Sequence, residues 1–279
     1  MALWPIGSQT TAFWLVVSPC GVSFAQQEGK EDEALFVAQK AFDDGFYDVA
    51  LSLLERFQKN YPGSTKFAEV NLLIGECYFH QNKFLGALNK FEELLAAPNA
   101  EHIKDAVIYW IAEVHFRGNN FSKAATYYKM IIDDFPNSVY LASAYYSMGW
   151  CLFQEQKFKD AIGFFKNVEE KFPRQSHQPE GSGLASYGQS YQPDGSGLAS
   201  NSQSHKPEGR GLASYGQSQF QEASFKILEC LYNLKDYAGL KERIKSNLKV
   251  YSKDSAKVPY LQFYLAEADY YLGNFTEAF

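Results

Sequence analysis

Basic charge, cysteine and histidine are all scarce in this chain of 279 residues. The formal net charge is −6, so the sequence lacks the basic patch that is typical of proteins that bind nucleic acid. The same negative balance argues against adhesion to an anionic membrane surface. We therefore expect no nucleic-acid partner, and contact with a membrane only through a lipid anchor if the chain carries one.

Charged residues are missing altogether from residues 1–25, and the apolar run Thr11–Val17 is too short to span a bilayer. Ser23-Phe24-Ala25 places small residues at the −3 and −1 positions of a signal-peptidase site. This pattern predicts a signal peptide cleaved after Ala25, and therefore export. Cys20 leaves a lipoprotein anchor open as an alternative. The missing Lys or Arg before the apolar run leaves a cytosolic adaptor as a third reading.

One motif, Gly/Asn-x-Phe/Tyr-x-x-Ala, recurs along the chain, and its first four aromatic residues are each 37 residues apart. A small residue usually lies nine positions before the aromatic residue, and a proline closes each of the first four units. Small residues let two helices approach closely where they cross. Proline ends a helix because it disfavours helical geometry in the preceding residue. The aligned aromatic residues are Tyr47, Phe84, Phe121, Phe158, Tyr237 and Phe275.

These units predict an all-α fold, in which antiparallel pairs of helices A and B stack into a right-handed α-solenoid to bury their apolar faces. The pattern resembles the tetratricopeptide repeat, most clearly in Ile74–Pro98 and Met148–Pro173. The period exceeds the family's usual value of about 34. Long-period repeats with Phe-Pro-x-Ser turns look like those of bacterial envelope proteins, such as the β-barrel assembly lipoproteins and the Tol–Pal accessory protein.

A low-complexity tract, Ser176–Gln217, consists of three near-copies of a 14-residue unit. Removing it from the 79 residues between Phe158 and Tyr237 restores the period of 37. Because the tract has no apolar face, we predict a disordered insertion in a turn between repeats. A docking role for its Gly-Leu-Ala-Ser copies stays open. The predicted divisions are a signal peptide in 1–25, repeats 1–4 in 26–175, the insert in 176–217, and repeat 5 with a truncated repeat 6 in 218–279.

The sequence offers little for catalysis or metal binding. Cys77, Cys151 and Cys230 occupy one register of helix A, which is typical of buried packing residues rather than of reactive thiols. No two histidines have a metal-ligand spacing, and no glycine-rich phosphate loop lies between a strand and a helix. No Ser/His/Asp or Cys/His set has positional support. We therefore predict neither an enzyme nor a cofactor.

The surface expected to bind partners is the concave groove. In tetratricopeptide repeats, the residues one and four positions after the small residue of helix A face this groove. Carboxylates and rings at those registers suit a peptide that carries Lys or Arg and apolar anchors. The alternative is that these rings pack against the next repeat. The residues predicted to bind a partner are Glu76, Phe79, Glu113, Phe116, Trp150, Phe153, Glu229 and Tyr232, with Gln39, Phe42, Glu267 and Tyr270 at the same registers of the first and last repeats.

The sequence thus predicts a non-catalytic protein-interaction scaffold of the bacterial cell envelope, in the periplasm or at the outer membrane. A different class of function stays open. Helix A of the sixth repeat leaves an apolar face without a capping helix. The chain could therefore be the regulatory or targeting arm of a larger envelope enzyme whose catalytic domain follows residue 279.

Overall fold

All the regular structure in the described residues, 20–172, 212–251 and 258–278 of this computed structural model, is helical. The predicted all-α solenoid of helix pairs is confirmed. A short 3-10 helix, Pro98–Ile103, joins the second pair to the third. The A helices are α1 (Cys20–Asp43), α3 (Phe67–His80), α5 (Lys104–Arg117), α7 (Leu141–Gln154), α9 (Leu212–Asn233) and α11 (Val258–Tyr271). The B helices are α2 (Tyr47–Asn60), α4 (Phe84–Leu95), α6 (Phe121–Asp134), α8 (Phe158–Lys171), α10 (Tyr237–Tyr251) and α12 (Phe275–Ala278).

The turn from helix A to helix B is the same in all six repeats. Every B helix begins at the aligned aromatic residue, and the residue two positions earlier has a positive φ. The next amide donates to a carbonyl five residues back, as in Lys83 N–H to Tyr78 O at 2.8 Å. This is the Schellman cap, which favours glycine or asparagine at the left-handed position. The left-handed residues are Gly45, Asn82, Asn119, Gln156, Lys235 and Gly273.

The small residue of helix A lies directly against a bulky residue of helix B. A Cβ atom on Gly75 would lie 2.4 Å from Cε1 of Phe91, and one on Gly149 would lie 2.6 Å from Cε1 of Phe165. Real Cβ atoms do not approach ring carbons that closely, so both positions need glycine. The close helix crossing that the small residues predict is therefore present in repeats 2 and 4.

Repeat 5 packs on repeat 4 as the earlier repeats pack on one another, with α9 against α7 and α8. The Arg243 guanidinium of α10 also donates to Glu169 of α8. Most of the predicted insert, 176–211, lies outside the described residues. The last part of the predicted insert is described and is helical. Helix α9 begins at Leu212, six residues before the predicted start of repeat 5 at residue 218. Leucine and alanine at 212 and 213 favour a helix, and the last proline before them is Pro207.

The first helix overlaps the predicted leader. Helix α1 begins at Cys20 and continues through the predicted cleavage site after Ala25. Residues 1–19, with the apolar run, lie outside the described residues, so cleavage, lipidation and export stay predictions. Among the residues that the structure describes, no helix combines the length and apolar character needed to cross a membrane.

Candidate functional site

Three registers of helix A form the candidate site, and each is defined by its distance from the aligned aromatic residue. The carboxylate register lies eight positions before it and includes Glu76, Glu113 and Glu229. The ring register lies five positions before it. The receiving register lies eleven positions before it. The ring register contains Phe42, Phe79, Phe116, Phe153, Tyr232 and Tyr270, and the receiving register contains Phe36, Leu73, Trp110, Ser147, Lys226 and Tyr264.

Five of the eight predicted binding residues are buried. Glu76 is only 1% exposed and Glu113 4%. Phe79, Phe116 and Trp150 are buried beside them. The expectation that all eight line an open groove is therefore not met in repeats 2 and 3, and it is met only in part in repeat 4. Phe153, Glu229 and Tyr232 are half-buried and in contact with solvent.

The rings are buried because they pack against the following repeat, which is the alternative that the sequence left open. The Phe79 ring meets the Trp110 ring edge-on, with 5.1 Å between centroids. The Tyr232 ring meets the Tyr264 ring at 5.3 Å. In the fourth repeat, the Phe153 ring lies 5.5 Å from Nζ of Lys226. Each contact joins the ring register of one repeat to the receiving register of the next.

Glu113 is held by a buried hydrogen bond. The Tyr128 hydroxyl of α6 donates to its Oε1 at 2.7 Å. Burial raises the pKa of Glu113, and the hydroxyls of Tyr128 and Tyr109 partly offset this effect. The carboxylate therefore joins helices A and B of its own repeat. It is not presented to a partner in solution.

Glu76 has no equivalent donor, because its repeat carries Phe91 where repeat 3 carries Tyr128. Neither carboxylate oxygen of Glu76 has a hydrogen-bond partner at bonding distance and angle. Burial raises the pKa of Glu76 to about 8, and the nearby Trp110 N–H offsets only part of that rise. Glu76 is therefore protonated and uncharged at neutral pH, since its pKa lies above 7.

The cysteines and the partly buried His80 are also packing residues. Cys77, Cys151 and Cys230 are free and buried, as their shared register predicts. Burial raises the pKa of the Cys77 thiol to about 12, so it stays protonated at neutral pH. The His80 ring stacks on Tyr47 at 4.9 Å, and burial lowers the pKa of His80 to about 4. No group of residues suited to hold a metal ion occurs in the described part of the chain.

Solvent-accessible rings at these registers lie in the first repeat, at Phe36 and Phe42, and in a larger group in repeats 4 to 6. Phe263, Tyr270 and Tyr271 are each more than half exposed, whereas the equivalent residues of repeats 2 and 3 are largely buried. Tyr271 stacks on Tyr237 at 4.4 Å, and Phe263 contacts Tyr264 at 5.6 Å. We call this the C-terminal aromatic surface. Its members are Phe153, Tyr232, Phe263, Tyr264, Tyr270 and Tyr271.

Two carboxylates lie within this surface. Glu229 pairs with Lys226 at 2.7 Å, and that ammonium group also lies 4.0 Å from the Trp150 ring centroid. Glu267 accepts a hydrogen bond from the Tyr232 hydroxyl at 3.2 Å. Over the described ranges no Lys or Arg forms an ion pair with Glu267. Aromatic faces beside carboxylates can bind an ammonium or guanidinium group that brings apolar neighbours.

Sequence reasoning missed Phe263, Tyr264 and Tyr271 as members of this surface. Phe263 shares its register with buried residues, among them Leu72, Tyr109 and Tyr146. The register pattern therefore predicts burial. The available signal was its place in the sixth repeat, where no described helix covers the outer side of α11.

Comparisons with known proteins agree with this fold. A family model described as tetratricopeptide repeat matches residues 106–138 and 143–174, and a second model with that description matches residues 38–102. The sequence comparison with curated proteins found no match.

Solved structures with similar folds share little sequence with the chain. A tetratricopeptide repeat protein from Parabacteroides merdae is 13% identical, over 89% of this chain and 75% of that one, with a TM-score of 0.56. Pseudomonas aeruginosa pilF is 9% identical, over 91% and 89%, with a TM-score of 0.58. BtubC (BKLC) from P. vanneervenii is 13% identical, over 89% and 86%, with a TM-score of 0.53. These likenesses show the fold alone.

Proposed function

Because residues 38–102, 106–138 and 143–174 are tetratricopeptide repeats, we propose that this chain is a non-catalytic scaffold that binds a partner protein on its C-terminal aromatic surface. Proteins built from these repeats generally act as protein-interaction scaffolds. The partner segment that fits carries Lys or Arg together with apolar anchors. It contacts Glu229 and Glu267 through the cations, and the rings through the anchors.

The observation that carries this proposal is the exposure of rings beside Glu267. An exposed cluster of aromatic side chains is costly for a soluble protein and typically marks an interaction site. The carboxylate of Glu267 has the Tyr232 hydroxyl as its partner and can accept a further bond from a cation. The two buried glutamates, Glu76 of repeat 2 and Glu113 of repeat 3, are not part of the proposed site, because neither side chain is exposed to solvent.

The test begins with a library of random dodecapeptides selected on the immobilised full chain. We expect the enriched peptides to carry Lys or Arg beside aromatic or aliphatic residues. The double variant Glu229→Lys, Glu267→Lys should then bind the best peptide about tenfold more weakly or worse, because a hydrogen bond to a charged group is worth roughly 1.5–3 kcal/mol. Enrichment of acidic peptides would overturn the proposed partner chemistry.

A matched control separates this effect from a change in net charge. Glu55 of α2 and Glu170 of α8 are exposed B-helix glutamates. The variant Glu55→Lys, Glu170→Lys changes the net charge of the chain equally and should leave the affinity unchanged. Equal losses in the two double variants would mean that binding follows overall charge, and the proposed site would be wrong.

We further propose that the scaffold acts in the bacterial envelope, in the periplasm or at the outer membrane. The support is the uncharged residues 1–25 with a small-x-small site before Gln26. An immunoblot of fractionated cells tests this. We expect the band in the envelope fraction, at the mass of residues 26–279. A band confined to the cytosol would contradict export and favour a cytosolic adaptor.

The second candidate, the regulatory or targeting arm of a larger envelope enzyme, is favoured by the exposed apolar side of α11. A further helix in the same polypeptide could cover that side. The same immunoblot separates the two proposals. A band much larger than 279 residues allow would support the arm, whereas a band at the size of this chain would exclude it.

A further inference from the structure

Lys226 is the one charged residue of the receiving register, and it lies in a site made of two rings and a carboxylate. Its Nζ lies 4.0 Å from the ring centroid of Trp150 and 5.5 Å from that of Phe153, both on α7. The same ammonium group pairs with Glu229, one turn further along α9, at 2.7 Å. Aromatic faces and a carboxylate together attract a cation. The chain therefore fills this site, which we call the first cation site, with its own lysine.

The equivalent site one repeat further along receives a neutral residue. It consists of Glu229 and Tyr232 of repeat 5 and Glu267 of repeat 6, and we call it the second cation site. The residue at its receiving register is Tyr264, whose ring meets the Tyr232 ring at 5.3 Å between centroids. Burial and the nearby charge of Glu229 raise the pKa of Tyr264 to about 12, so its hydroxyl is uncharged at neutral pH. Tyr264 therefore takes the place of Lys226 without bringing a positive charge.

The two carboxylates of the second cation site differ in their charge balance. Lys226 already balances the charge of Glu229. The Tyr232 hydroxyl gives Glu267 a hydrogen bond at 3.2 Å but no positive charge. A cation from a partner can therefore bind at Glu267 without displacing a lysine, whereas a cation that binds at Glu229 must compete with Lys226. Such competition is feasible, because the lysine stem is flexible and ion pairs three residues apart on a helix are weak.

We propose that Lys226 is an internal competitor that determines the specificity of the C-terminal aromatic surface. A partner binds tightly through one Lys or Arg at Glu267, and a second cation gains little because Lys226 already holds Glu229. Lys226 acts through Glu229 and need not touch the partner itself. This inference rests on the proposed function, since it requires a basic partner segment on this surface. It adds which carboxylate takes the cation and which residue sets the number of cations.

The test selects one library of random dodecapeptides in parallel on the wild-type full chain and on Lys226→Met. Methionine removes the charge and keeps a flexible side chain that packs well on the Trp150 ring. Peptides enriched on the variant should carry about one more Lys or Arg, and one of them should bind the variant about tenfold more tightly than the wild type. Circular dichroism checks that helicity is kept, and Lys226→Gln provides a second uncharged variant.

Matched variants separate competition from a change in charge or in packing. Lys166→Met removes the same charge from an exposed position on α8 and should leave the selected peptides unchanged. Lys226→Arg keeps the charge and should behave as the wild type does. In a chain that carries Glu229→Gln, the Lys226→Met substitution should no longer raise the affinity for the peptide, because no carboxylate is left to compete for. In a chain that carries Glu267→Gln, the gain should remain.

Several results would overturn the inference. Basic peptides enriched equally on the wild type and on Lys226→Met would do so while leaving the proposed function intact. Equal gains in affinity from Lys226→Met and Lys166→Met would mean that binding follows net charge. A gain that persists beside Glu229→Gln would show that Lys226 does not compete for Glu229. If no chain enriches basic peptides, the proposed function is wrong and this inference is wrong with it.

Discussion

Repeats 2 and 3 and repeats 5 and 6 place chemically similar residues at the same registers, yet they use them differently. In the interior repeats, Glu76 and Glu113 are buried beside aromatic rings that pack on the next repeat. Towards the C-terminal end, Glu229 and Glu267 remain in contact with solvent and Tyr270 is exposed. In a solenoid the neighbouring repeat therefore decides whether a residue is structural or available, and the register alone does not.

A second difference lies between the two interior repeats themselves. Repeat 3 carries Tyr128, whose hydroxyl satisfies Glu113, whereas repeat 2 carries Phe91 and leaves Glu76 without a donor. The two repeats thus differ by one hydroxyl group on helix B. With it, the buried carboxyl of Glu113 has a hydrogen-bond donor, and without it, the buried carboxyl of Glu76 has none at bonding distance and angle. An isolated buried carboxylate avoids the cost of its charge by holding a proton.

The largest expected effect concerns Glu76→Gln. The folded chain holds a proton on Glu76 up to about pH 8, whereas the unfolded chain releases it near 4.5. Folding therefore takes up a proton in this window, and the wild-type stability falls by up to about 1.4 kcal/mol per pH unit as the pH rises. Glutamine cannot ionise, so the free energy of unfolding of the variant should not fall in this way. Measured in urea, the stability of the variant relative to the wild type should therefore increase as the pH rises from 5 to 8. A stability difference that does not change with pH would contradict the buried, protonated carboxyl.

Gly75→Ala should cost about 1–3 kcal/mol, the usual penalty for overpacking a core. Its new Cβ would lie 2.4 Å from the Phe91 ring, so helices α3 and α4 must separate. Gly163→Ala on α8 is the matched control, because nothing lies within 4 Å of its Cβ position. That change should instead stabilise by up to about 1 kcal/mol through helix propensity. Thermal unfolding of both variants tests the pair, and similar changes would contradict the close crossing.

Tyr128→Phe should bring repeat 3 closer to the state of repeat 2. It removes the Tyr128 hydroxyl from Glu113 and leaves only the Tyr109 hydroxyl beside that buried carboxyl, so we expect a loss of about 1–3 kcal/mol at neutral pH. The free energy of unfolding in urea measures the loss. The loss should shrink as the pH falls, because burial already raises the pKa of Glu113 and its protonated form has no charge for the hydroxyl to stabilise. A loss that is independent of pH would mean that the bond does not stabilise the charged form.

The smallest effect should come from substitutions in the turns that join helix A to helix B. Gln156 and Lys235 have φ near +60°. Glycine adopts this left-handed conformation without backbone strain, whereas residues with a Cβ atom do not. Gln156→Gly and Lys235→Gly should each raise the free energy of unfolding by about 1 kcal/mol or less. Gly45→Ala at the equivalent turn is the reverse change and should lower it. If all three substitutions shift the melting temperature in one direction, backbone strain does not govern these turns.

The sequence predicts the fold well because the repeat carries local signals. The aromatic residue at the start of helix B, the left-handed residue before it and the proline after it each act within a few residues of their own position. The boundary of the insert was less predictable. Leu212 belongs to a low-complexity copy by composition, but α9 extends back over it.

The candidate site was only partly predictable, because burial depends on contacts between repeats. The resemblance placed Glu76 and Glu229 at one register, and nothing in that register distinguishes them. The Trp110 ring covers the groove side of repeat 2, whereas the equivalent contact in repeat 5 comes from the smaller Tyr264 ring at the less covered end. Burial, and with it the pKa of each carboxyl, therefore follows from the packed structure.

The most direct test of the binding proposal is to map where a selected peptide sits. A peptide from the library selection, carrying a benzophenone group, would be photo-crosslinked to the full chain and the attachment sites read by mass spectrometry. We predict attachment on α9 and α11, at or beside Tyr232, Tyr264 and Glu267. Attachment on α3 and α5, or on the B helices, would contradict the claim that the accessible end of the groove is the binding surface.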